Sequence, residues 1–118
     1  MTEYDKSRWP EEETEVAIEK VEKFNEEDTA FFTELRVLSG PQKGALKRLL
    51  WGRYKRDSDI PQKPTESLFD ALGLNVREDS SRKLVNMTIE IKPWYPDETR
   101  KFPVITNIKK TGEIDPWE

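Results

Sequence analysis

The chain contains no cysteine and no histidine. Without cysteine there is no disulfide framework, no thiolate nucleophile and no cysteine-ligated zinc. Without histidine the commonest general base and the commonest transition-metal ligand are gone as well. Together the two absences exclude most hydrolase chemistries, and the expectation is a protein that is not an enzyme and carries no cofactor. A carboxylate-only metal site is what remains. Long apolar runs are missing too: no stretch approaches the roughly 20 residues that span a bilayer. The N-terminal MTEYDKSRWPEEE is acidic where a secretory signal needs a positive start and an apolar stretch. A cytoplasmic protein with no membrane contact is therefore expected. Hydrophobic residues make up only 34% of the 118, against 37% charged, so one domain with a modest core and a wet surface is the natural reading.

What the chain has in quantity is charge, and it is segregated. The net value is -4. Residues 1–28 hold 11 acidic and 4 basic side chains, whereas residues 41–56 hold 6 basic and none acidic. That basic block, PQKGALKRLLWGRYKR, interleaves Lys43, Lys47, Arg48, Arg53, Lys55 and Arg56 with Leu49, Leu50, Trp51 and Tyr54. Cations mixed with flat rings suit a groove for single-stranded nucleic acid, where charges track phosphates and rings stack on bases. Local field, not overall charge, governs such binding. If all six cations met phosphates, affinity would fall with salt at a log-log slope of about -4.

Along the chain, EVAIEKVEKF spaces Val16, Ile18, Val21 and Phe24 as either an amphipathic helix or a strand with one bulge. AFFTELRVL reads as a strand, with Phe31, Thr33, Leu35 and Val37 on one parity. SGPQKG is a turn, and ALKRLLWGRYKR is its hairpin partner, with Leu46 and Leu50 inward and Lys47, Trp51, Arg53 and Lys55 outward. TESLFDALGL is a helix, entered after Pro64 and stopped at Gly73. KLVNMTIEIK alternates as a strand with Val85, Met87, Ile89 and Ile91 inward, and FPVITNIKK is the last strand. Five strands with one helix between the third and fourth is the element order of a mainly β, five-stranded OB-fold barrel. The expected layout is a polar arm over residues 1–13, the barrel over 14–110 and a short acidic tail over 111–118.

These residues also resemble a family. EVAIEKVEKF, LRVLSGPQKGALKRLLW, ESLFDALGL, VNMTIEIKPWYPD and VITNIKK are similar to the phage-encoded OB-fold single-stranded-DNA-binding proteins, formerly catalogued as a domain of unknown function. The sharpest part is the turn with Gly40, Pro41, Lys43 and Gly44, followed by an apolar-basic strand and a helix ending in Ala71, Leu72 and Gly73. The likeness runs over about residues 13 to 110. It implies an OB barrel, sequence-tolerant binding of single-stranded DNA in phage replication or recombination, and no catalysis. The chain departs from the family in its first loop, NEEDT, where Glu26, Glu27 and Asp28 replace the lysine or glycine of relatives.

Candidate nucleic-acid contacts are then Lys43, Lys47, Arg48, Trp51, Arg53, Tyr54, Lys55 and Arg56, joined by Trp94 and Tyr95, which lie between prolines before the final strand. Phe31 and Phe32 are adjacent, so one of them faces away from the core and extends the stacking surface. Trp9 reads as a packing anchor or a fragment of a partner contact, and no site role is assigned to it. In the tail, Asp115, Pro116 and Trp117 resemble the acidic, Pro-aromatic tips with which bacterial and phage single-stranded-DNA-binding proteins dock replication partners, and the same tip is expected to compete weakly with DNA. The runs Glu11, Glu12, Glu13 and Glu26, Glu27, Asp28 contain carboxylates of the type that hold Mg²⁺, but consecutive acids seldom converge, and a solvated surface is the simpler reading. An alternative class is an acidic protein-interaction module or viral inhibitor that occupies a basic groove on a host protein; a structural piece of a larger assembly is a third.

Overall fold

The structure, a computed structural model, describes Tyr4, residues 7–100 and residues 102–113. Five strands form one antiparallel sheet: β1 (Thr14–Lys23), β2 (Ala30–Val37), β3 (Leu46–Gly52), β4 (Met87–Trp94) and β5 (Val104–Glu113). A single helix, α1 (Lys63–Ala71), and a 3-10 turn, Ser81–Leu84, lie between β3 and β4. Strand order across the sheet is β3-β2-β1-β4-β5. The mainly β class and the element order follow the sequence reading. The sheet is not closed: among the described residues no ladder joins β3 to β5.

The ambiguous first segment is a bulged strand. The register of β1 against β2 shifts between Ile18 and Lys20, so Val16 and Ile18 point inward on one side of the bulge and Val21 on the other. One extra residue converts a helix-like spacing into a strand that stays on the core. Phe24 falls past the strand end and is 67% exposed, outside the core pattern it was grouped with. β2 alternates strictly, with Phe31, Thr33, Leu35 and Val37 buried. Its turn into β3 uses positive φ at Gly40 and Gly44, which glycine adopts at no steric cost.

The parity expected for β3 is reversed. Antiparallel partners share a face, and Lys47, Leu49 and Trp51 pair with Leu35, Thr33 and Phe31. All three are therefore inward and buried, whereas Leu50 is outward and 42% exposed. Adjacent Leu49 and Leu50 fit either register, and the inward face of β2 decides between them. Leu46, at the strand start, is buried as expected.

Helix α1 begins with Pro64 in its first turn and is followed by Gly73 at φ 72°; Leu68, Phe69 and Leu72 seal the core. Phe31 anchors that core, stacked on Trp51 at 6.5 Å and edge-on to Phe69 at 6.1 Å. β4 starts at Met87, later than the alternation suggested, because Ser81–Leu84 forms the 3-10 turn and Asn86 has φ 71°. Pro93 is accommodated inside β4 because the ladder to β1 ends at Ile91, leaving β5 as its partner there. β5 continues to Glu113, three residues into the stretch expected to be tail, with Gly112 paired to Thr88. Asp115, Pro116 and Trp117 lie outside the described residues. Among the described residues no helix is long and apolar enough to cross a membrane.

Candidate nucleic-acid interface

The six cations of the basic block have separate fates. Lys47 is buried beneath the N-terminal segment, its Nζ donating to the Ser7 carbonyl at 2.9 Å and lying 5.1 Å from the Trp9 ring centre. Arg53 is also buried: it pairs with Asp28 at 3.3 Å, donates to the Asp79 carbonyl at 2.9 Å and lies over Phe69. A desolvated cation needs partners of this kind, so both residues serve the fold from within and neither stands on the outer face. Arg48 is half-buried on the outer face and pairs with Glu22 at 3.0 Å. Lys43, Lys55 and Arg56 are exposed. Tyr54 is half-buried and bridges Pro61, closing a small hairpin that carries Lys55, Arg56 and the 52% exposed Ile60.

The aromatic half of the expected site is likewise redistributed. Trp51 is 3% exposed, and its indole N–H donates to Thr33 Oγ1 at 2.9 Å, so it is a core residue. Tyr95 is buried too; its hydroxyl accepts from the Trp9 backbone N–H at 3.0 Å, and Arg8 covers its ring at 3.9 Å. Trp9 is accordingly a packing anchor. Trp94, in contrast, is 51% exposed at the end of β4.

On the outer face another set comes together. Phe32 is the outward member of the Phe31-Phe32 pair, with the Arg48 guanidinium 3.9 Å above its ring and Phe24 6.5 Å away. Leu50 is its cross-strand partner. Leu50 also lines an open cleft between the two edge strands, with Gly52, Gln62, Thr65, Arg100, Pro103 and Val104. Val104 pairs with Trp94. Outward apolar groups thus run from Phe24 through Phe32 and Leu50, across the cleft, to Val104 and Trp94; Phe24, Leu50 and Trp94 are exposed, and Phe32 and Val104 are half-buried. Sequence reading missed Phe24 and Leu50: it pointed Leu50 inward and gave Phe24 only as part of the apolar spacing of the first segment. The signal for Phe24 was the odd spacing after Ile18, which only a bulge satisfies.

Charge on this face is largely matched. Arg36 pairs with Glu19 at 3.3 Å, Arg48 with Glu22, and the Tyr4 hydroxyl donates to Glu34. In the first loop, Glu26 and Glu27 are exposed, whereas Asp28 is buried and accepts from the Ser81 backbone N–H and hydroxyl at 3.0 and 2.8 Å. Among the described residues no group of three or more carboxylates is arranged to hold a metal ion. Comparison with protein-family models, with curated proteins and with solved structures finds no match for this chain.

Proposed function

We propose that the chain is a sequence-tolerant single-stranded-DNA-binding module of OB-like design, acting without catalysis. The observation that carries this reading is the outward row Phe24, Phe32, Leu50, Val104 and Trp94, with exposed Lys55 and Arg56 on the hairpin that follows β3. Rings and apolar side chains on an outer sheet face offer bases a stacking surface with little sequence preference. The connectivity supports it: β1 lies between β2 and β4, the helix separates β3 from β4, and the two free edges look into one cleft, as in an OB barrel opened between its third and fifth strands. The family resemblance of the sequence extends the proposal to phage replication or recombination, with the segment holding Asp115, Pro116 and Trp117 as a docking tip for partner proteins.

Trp94 provides the test. Trp9 and Trp51 are buried, so quenching of tryptophan emission by poly-dT should come from Trp94. It should vanish in Trp94→Phe and persist in Trp117→Phe. Quenching that survives Trp94→Phe would remove Trp94 from the interface. An acidic protein-interaction module is the second reading, supported by the exposure of Glu11, Glu12, Glu13, Glu26 and Glu27. Neutralising those five should abolish partner capture under that reading and leave DNA affinity unreduced under the first.

A further inference from the structure

The N-terminal segment does not lie away from the sheet. Ser7, Arg8 and Trp9 are pinned by Lys47, Gln42 and Tyr95: Lys47 Nζ reaches the Ser7 carbonyl at 2.9 Å, Gln42 Nε2 the Arg8 carbonyl at 2.8 Å, and the Tyr95 hydroxyl accepts from Trp9 N–H at 3.0 Å. Upstream of this anchor, Tyr4 rests on the outer face. Its ring lies 5.7 Å from the Arg48 guanidinium, which also lies over the Phe32 ring at 3.9 Å and pairs with Glu22 at 3.0 Å, and its hydroxyl donates to Glu34. The Arg48 guanidinium thus has two rings against it, Phe32 from the sheet and Tyr4 from the N-terminal segment, and Tyr4 is a flat ring with a polar edge. That is the shape and chemistry of a nucleobase stacked on a guanidinium.

We propose that Tyr4 is a built-in base mimic that occupies the stacking position on Arg48, so that single-stranded nucleic acid binds this face only by displacing it. The inference rests on the nucleic-acid reading above and adds its regulation. A ligand competing with a tethered group binds with an affinity reduced by the fraction of molecules whose site is open. Removing the ring therefore improves binding, the opposite of what truncating a true contact does.

The test is a fluorescence-anisotropy titration of a labelled dT oligomer with the full chain and with Tyr4→Ala, combined with ring-proton NMR of Tyr4 in the wild type. Tyr4→Ala should bind about threefold tighter, the worth of one exposed ring-guanidinium contact. The Tyr4 ring signals should move to free-tyrosine positions as dT saturates the wild type. Equal or weaker binding by the variant, or Tyr4 signals that stay in place while dT binds, overturns the mimic and leaves the nucleic-acid reading standing. Absence of dT binding in both proteins overturns the two together.

Discussion

Phe24 is two-thirds exposed, with its ring 6.5 Å from that of Phe32, so it adds little to the core and is open to a stacking partner. Phe24→Ala should leave the melting temperature nearly unchanged and cost about 1 to 3 kcal/mol of dT affinity, the value of one stacking partner. A melt well below wild type with affinity intact would make it a packing residue. Trp51 gives the reverse expectation. It is buried against Phe31 and hydrogen-bonded to Thr33, so Trp51→Ala should cost about 3 to 5 kcal/mol of stability, read by thermal or urea unfolding. Asp79 adds a pH dependence. The Asn75 backbone N–H and the Lys83 ammonium hold its carboxyl below the usual aspartate range. A depressed folded pKa contributes stability above the unfolded value, near pH 4, which is lost as pH falls through the folded value. The advantage of wild type over Asp79→Asn in unfolding experiments should therefore be present at pH 7 and shrink toward zero below pH 4; an advantage unchanged in acid would contradict it.

At the scale of elements, one buried ion pair ties three connections together. Asp28, at positive φ in the β1-β2 loop, pairs with Arg53 just past β3 and receives two hydrogen bonds from Ser81 in the 3-10 turn. Asp28→Ala strands a buried guanidinium and should destabilise the fold by about 3 to 5 kcal/mol, far more than removing an exposed pair such as Arg36 with Glu19. Equal effects of the two variants in unfolding experiments would contradict this assignment. The pair also marks the limit of what could be read from sequence. β2, β5 and α1 were legible because their apolar spacing and turn residues act locally. The direction of β3 was not, because two adjacent leucines satisfy either register and the choice is made by β2, across the hairpin. Nor was the burial of Lys47 and Arg53, since their partners, Ser7, Asp28 and Asp79, are distant in sequence or supply main-chain oxygens. A block of six cations looks alike in the sequence whether its members face water or the core.

For the whole molecule, the consequence for the proposed interface is that its apolar part outweighs its electrostatic part. Of the six cations in residues 43–56, Lys43, Lys55 and Arg56 are exposed, Arg56 with the solvated Asp57 3.9 Å away, while Lys47 and Arg53 are buried and the half-buried Arg48 is paired with Glu22. Three phosphate contacts correspond to a log-log salt slope of about -2, half the slope expected if all six were engaged. The most direct measurement is a titration of the wild-type chain with a labelled dT oligomer and with a duplex of equal length, repeated across salt concentrations. The account predicts clear binding to the single strand, much weaker binding to the duplex, and a slope near -2. No affinity for the single strand, or equal affinity for both, would contradict it.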